Sequence, residues 1–242
     1  MNRLLPLVAA AALVGCNEVP TSDSDDVKTS GIEAEFFVSN SGDIYTVRAE
    51  LIFGDDEEPT YLLASGGDEL TATLAGQTKT LRRSGHGHEA QFSAADGTLV
   101  IDFNRTEFLS ALGSSIQLTA TGSFSSPSEG QTFNYDEDGV ELRFPASVAE
   151  DYKSLNWTVS CTASGDTETR QGSTSQGLQD GLAYIRFSTI FSNGPQLLDY
   201  PSQGCEVAFT LDKDVTGSVS AEFKTGQFSG RLRSHVSIVV LP

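Results

Sequence analysis

The stretch Arg82-Arg83-Ser84-Gly85-His86-Gly87-His88-Glu89 holds two of the chain's 3 histidines. Alternate residues of a strand share a face. His86 and His88 would then point the same way and offer nitrogen ligands to a transition metal, with Glu89 reaching round from a loop. The pattern does not suit a metalloprotease, which needs two histidines at helical spacing with a glutamate between them; three residues beyond Glu89 stands Phe92. His235 is far away in sequence, and its place on the last strand points it outward. A structural zinc needs four protein ligands with supporting partners. The stretch therefore reads as a glycine-rich hairpin loop, with His86 and His88 as weak metal candidates and no metal or cofactor expected.

A second candidate is Asn134-Tyr135-Asp136-Glu137-Asp138-Gly139, which begins like a calcium loop, with oxygen ligands at alternate positions and a glycine sixth. The twelfth position is Pro145 where a bidentate glutamate is required, so Asp138-Gly139 reads as a hairpin turn instead. No nucleophile elbow and no phosphate-cradling loop is present. A paired-carboxylate site is compatible with so acidic a chain but has no sequence address. Trp157 and the tyrosines could line a sugar-binding face, although a tryptophan at a strand centre is better explained as core.

The elements that must carry these residues are strands. From Gly31 onward, short apolar-alternating runs are separated by turn residues. Ile44 to Phe53 is the clearest: Tyr45, Val47, Ala49, Leu51 and Phe53 on one face, Thr46, Arg48 and Glu50 on the other. Further runs are Glu33–Val38, Thr60–Ala64, Leu70–Leu74, Thr78–Arg82, Gln91–Ser93, Thr98–Phe103 and Ser115–Thr121, with Asp96-Gly97 as a tight-turn pair and a helical turn at Glu107–Leu112. Gly122 to Gly130 is the strongest linker. Beyond it come Gln131–Tyr135, Val140–Phe144, Leu155–Thr162, Leu182–Ser188, Glu206–Leu211, Ser218–Phe223 and Arg231–Leu241. This density of strands and turns predicts an all-β chain with two tandem antiparallel β-sandwich, immunoglobulin-like domains, 31–124 and 125–242. A true immunoglobulin domain orders cysteine, tryptophan, cysteine; here Trp157 precedes both Cys161 and Cys205, so only a similar sandwich is expected.

The amino end is of a different kind. Arg3 precedes an apolar run from Leu4 to Val14, 11 residues long. That length fits the core of a secretion signal and is too short to span a bilayer. The run ends in Leu13-Val14-Gly15-Cys16, which resembles the lipobox of bacterial lipoproteins. The resemblance implies that residues 1–15 are removed and that Cys16 becomes the lipidated first residue, anchored by several acyl chains. Asn17, where an aspartate would imply inner-membrane retention, leans toward the outer membrane. The segments Gly67–Leu74 and Cys205–Leu211 are similar to stretches of uncharacterised Gram-negative lipoproteins, which implies an all-β ectodomain with no assigned activity. With Cys16 taken by lipid, Cys161 and Cys205 remain as an even pair in an oxidising compartment and read as a disulfide; two free buried thiols are the alternative. Residues 16–30 are polar and read as a disordered tether with a reach of roughly 20 Å.

The formal charge is −18, and loss of Arg3 with the signal makes it more negative still. Charge of this sign argues against nucleic acid and against anionic lipid, leaving the covalent anchor as the expected link to the membrane. The expected role is a non-enzymatic binding or structural module with a protein or glycan partner in the envelope. The alternative is a secreted-type hydrolase with its acidic residues on sandwich loops; converging carboxylates in a pocket would favour it, and an exposed aromatic face would favour binding.

Overall fold

Period-two alternation is what builds the chain. The computed structural model describes residues 19–54, 57, 59–118, 124–145, 152–163, 166–175, 178–192 and 204–242. Cys16 and the first residues of the expected linker lie outside them. The strands are β1 (Thr21–Asp23), β2 (Glu33–Ser41), β3 (Ile44–Phe53), β4 (Thr60–Leu63), β5 (Glu69–Leu74), β6 (Gln77–Thr80), β7 (Arg82–Ser84), β8 (Gly87–Ser93), β9 (Gly97–Asn104) and β10 (Ala111–Leu118). They continue with β11 (Gln131–Asn134), β12 (Gly139–Arg143), β13 (Tyr152–Ala163), β14 (Asp166–Thr174), β15 (Leu182–Arg186), β16 (Cys205–Thr216) and β17 (Thr225–Leu241); one short helix, α1 (Phe187–Ile190), follows β15. In β3, Tyr45, Val47, Ala49 and Leu51 are fully buried. Phe53, expected on the same face, is 44% exposed because the strand ends there, past the edge of the core.

The fold is all-β, and its sheets stack as a sandwich. The largest sheet runs β1-β4-β3-β2-β17-β16-β13-β14, with β8 and β7 extending from β3, and β11 beside β17. A four-stranded sheet, β10-β9-β5-β6, supplies the facing layer for a first core that includes Phe36, Val47, Leu51, Leu70, Ile101 and Ile116. The pair β12-β15, with α1, supplies apolar side chains to a second core, where Leu142, Ile185 and Phe187 share a cluster with Trp157, Phe209 and Ile238. Most neighbours are antiparallel, but β1–β4, β11–β17 and β2–β17 are parallel.

β17 joins the two cores. Its first residues pair with β2, its last four with β11, and β16 runs alongside most of its length. The inward side chains Phe228 and Leu232 belong to the first core, and Val236, Ile238 and Val240 to the second. At the handover the buried inward residues are polar: Lys213 on β16 and Ser234 on β17. The first cluster draws on residues 32–118 together with Val215, Phe223, Phe228 and Leu232, and the second on Phe124 and residues beyond it.

Several local expectations are corrected. Residues 19–30, read as tether, are docked: β1 pairs in parallel with β4, and Ser24 and Thr29 are buried. Glu107–Leu112 forms no helix; it is an irregular loop that enters β10. Asp96-Gly97 carries the chain from one sheet to another, since β8 pairs with β3 and β9 with β5 and β10. Asp138-Gly139 is not a hairpin turn either, because β11 pairs with β17 and β12 with β15. Ser218–Phe223 is a loop plugging the first core, with Phe223 edge-on to Phe36 at 6.0 Å. From Phe124 onward the linker residues are docked; Phe124 is buried against Phe144, and the Glu129 carboxylate accepts from the Ser237 N–H at 2.9 Å. β14 had no counterpart in the sequence reading: it is an edge strand, polar on both faces.

Candidate functional site

The two histidines of the Arg82–Glu89 stretch lie on the hairpin β7–β8, which pairs onto β3. They do not share an environment. His88 is buried, and its Nε2 accepts from the Ala64 N–H at 3.2 Å, which places the ring proton on Nδ1. Nδ1 makes no hydrogen bond among the described residues. Burial, and then the nearby Arg83 charge, push the His88 pKa below its ordinary 6.5; the Ala49 carbonyl across the ladder offsets this in part. A buried neutral imidazole whose acceptor nitrogen is already used is a poor metal ligand. His86 sits in the hairpin turn near the surface, over the Tyr61 ring at 4.3 Å, with Nε2 3.2 Å from Glu50 Oε1. Gly87 allows this approach: a Cβ there would lie 2.8 Å from the Ala49 carbonyl oxygen. Among the described residues, no group of three or more histidine, cysteine or acidic side chains is placed to hold a metal ion.

His86 instead leads to a groove of about 340 Å³ on the outer face of the large sheet, lined by Glu35, Phe36, Phe37, Arg48, Glu50, Gln227 and Ser229. The strands set its geometry. The tight turn at Gly42-Asp43, with Gly42 at φ +56°, closes the β2–β3 hairpin in a register that puts Ser41 opposite Ile44. The same register puts Glu35 opposite Glu50 and Phe37 opposite Arg48. Gln227 and Ser229 of β17 complete the two rows. Like charges directly opposite on a sheet repel. Here each carboxylate has its own partner: Glu50 accepts from Arg48 at 3.4 Å and contacts His86, and Glu35 accepts from Gln227 at 3.2 Å. Phe37, 41% exposed, lies among them. The result is a fixed set of acceptors and donors around an open aromatic ring, able to hold a polar ligand that carries both hydrogen-bond donors and an apolar face.

The remaining expected residues fall elsewhere. Cys161 and Cys205 are directly opposite on β13 and β16 and are bonded, with Cα atoms 4.4 Å apart. Trp157 is buried in the second core, its ring lying against Gly172 of β14, and it also borders a groove on these strands. A shallow groove of about 440 Å³ crosses those strands, lined among others by Asn156, Thr158, Gln171, Thr210 and Arg233. In Asn134–Gly139 the carboxylate of Glu137 caps the Asn134 N–H at 2.8 Å, and the Tyr184 hydroxyl donates to Asp138 at 3.2 Å, so this segment is not arranged around a cation. His235 is exposed on β17.

Two features had no sequence address. One is the Glu35–Glu50 pair, whose only signal was the hairpin register. The other is Arg105, whose side chain is fully buried. Its guanidinium donates to Asp68 at 3.0 Å, to the Val27 carbonyl at 2.7 Å, to Thr29 Oγ1 at 3.1 Å and to the Ser24 carbonyl, and it stacks on Phe103 and Phe108. Asp68 also accepts from the Ser24 hydroxyl and the Thr106 N–H. This network clamps residues 24–29 onto the sandwich. No family model matches the chain, and no curated protein matches it.

Proposed function

We propose that this protein is a lipoprotein of the bacterial envelope, lipidated at Cys16 and held at the outer membrane, whose sandwich body binds an envelope protein or glycan. The lipobox-like end of the apolar segment supports the anchor. The observation that carries the binding role is the groove on β2, β3 and β17, where the exposed Phe37 is surrounded by side chains already fixed by cross-strand contacts. Donors and acceptors held in place before binding lose little freedom when a ligand arrives, and an aromatic ring left open to water gains by being covered.

The test is photo-crosslinking on whole cells from a reactive residue placed at Ser229, on the rim of the groove. Capture of one partner species, lost when Phe37→Ala and Glu35→Gln are combined, supports the role. Equal capture with and without those changes refutes it. A hydrolase is the second reading, and the directly opposed carboxylates of Glu35 and Glu50 are the observation in its favour, on strands rather than on loops. Under that reading either Glu→Gln change abolishes turnover of a captured glycan; under the binding reading neither changes its covalent structure.

A further inference from the structure

The docking of residues 19–30 has a consequence for how the body meets the membrane. If Cys16 carries the lipid, as proposed above, only Asn17 and Glu18 stand between it and Val19. Three residue steps span at most about 11 Å, so the body must sit against the bilayer that holds the anchor. The face that meets it is the one from which the chain emerges.

The elements bonded to that segment carry exposed apolar side chains. Of nine exposed large hydrophobic residues among the described ones, Val19, Phe53, Leu109 and Leu112 belong to the N-terminal segment or to elements close to it. Leu109 is 65% exposed and Leu112 54%. Neither sits on a loose loop. The Leu109 carbonyl accepts from Thr29 Oγ1 at 2.5 Å, the Arg105 N–H donates to Ser110 Oγ at 2.9 Å, and Arg105 and Thr106 are both tied to Asp68. The Phe53 ring lies within van der Waals reach of the space beside Gly31. From Val19 to Ser24, whose carbonyl Arg105 holds, is no more than about 18 Å of extended chain. The backbone at Leu109 is therefore tied, through Thr29 and the buried Arg105–Asp68 pair, to the segment that leads to the anchor.

We infer that the loop 105–112 is a membrane-seating element: Leu109 and Leu112 insert into the interfacial region of the bilayer that carries the lipidated Cys16, and the Arg105 clamp sets the orientation of the body on it. Glu107, two residues before Leu109, and the net charge of −18 make an anionic surface unfavourable, so the fitting surface is zwitterionic.

The test uses the full lipidated chain in phosphatidylcholine vesicles, with an environment-sensitive fluorophore on a single introduced thiol: Leu109→Cys, Leu112→Cys or, as a reference on the exposed side of β15, Tyr184→Cys. Nitroxide-bearing lipids should quench most of the emission at 109 and 112 and leave 184 unchanged, and aqueous iodide should do the reverse. Incorporating anionic lipid should reduce the quenching at 109. Lipidated, vesicle-bound protein whose 109 and 112 labels remain open to iodide overturns the seating while leaving the anchor intact. A chain that carries no lipid by mass overturns both.

Discussion

The two cores are of similar size and share a sheet, yet they are stapled by different chemistry. The first is closed by a buried ion pair, Arg105–Asp68, that fastens an incoming polar segment. The second is closed by a covalent bond, Cys161–Cys205, between strands that already pair. The ion pair tolerates burial only because each partner is hydrogen-bonded several times over; isolated, either charge would cost more than its attraction returns. The disulfide acts mainly on the unfolded chain by closing a loop. One staple thus depends on the integrity of the folded state, the other on the oxidation state of the compartment.

The largest break in this comparison comes from Arg105→Met. It leaves Asp68 buried without its partner and should cost up to about 5 kcal/mol, releasing residues 24–29; chemical denaturation and hydrogen exchange at Ser24–Thr29 would measure both. Cys161→Ala with Cys205→Ala should cost about 4 kcal/mol, from a loop of 44 residues on the chain-entropy account. Reductant should lower the midpoint of the native chain toward that of the double variant and leave the variant unchanged. Gly172→Ala comes next. Its Cβ would lie 2.5 Å from the Trp157 ring, and overpacking of this kind costs about 1–3 kcal/mol, visible as a lowered urea midpoint with altered tryptophan emission.

A smaller effect is the pH response of the first core. The folded chain keeps His88 neutral because burial holds its pKa below 6.5. The unfolded chain therefore takes up the proton first as pH falls. His88 should contribute its full stability above about pH 6.5, and that contribution should decline below it until the folded-state pKa is passed. Urea midpoints between about pH 7 and pH 5 should slope less in His88→Gln than in the native chain; identical slopes would show that His88 does not titrate differently in the two states. The smallest effect is expected from Glu50→Gln. It removes an ion pair with the partly exposed Arg48 and a contact with His86, and should change stability by less than about 1 kcal/mol while weakening capture at the groove.

Legibility followed burial on one face. β3 could be read to its boundaries because Tyr45, Val47, Ala49 and Leu51 face a core while Thr46, Arg48 and Glu50 do not. The cysteine pair was readable because so few thiols were available. β14 escaped because an edge strand carries no apolar face, and Ser218–Phe223 misled because a loop that plugs a core shows apolar residues without being a strand. The tether reading failed for a related reason. Residues 21–29 lack apolar periodicity, but their order comes from polar groups satisfied by Arg105, a residue 76 or more positions away, and nothing local marks it as buried. The groove was within reach in principle. A two-residue turn at Gly42-Asp43 fixes the register that sets Glu35 against Glu50, but its third row comes from β17 through a parallel pairing between opposite ends of the chain, which no short-range pattern announces.

Lipidation at Cys16 underlies both the anchoring and the seating, and intact mass of the protein extracted from membranes tests it most directly. The predicted result is a mature chain beginning at Cys16 and carrying acyl groups on that residue, with Cys16→Ser left unprocessed or released from the membrane. A native chain retaining residues 1–15, or one with an unmodified thiol at Cys16 that still fractionates with the membrane, would contradict it.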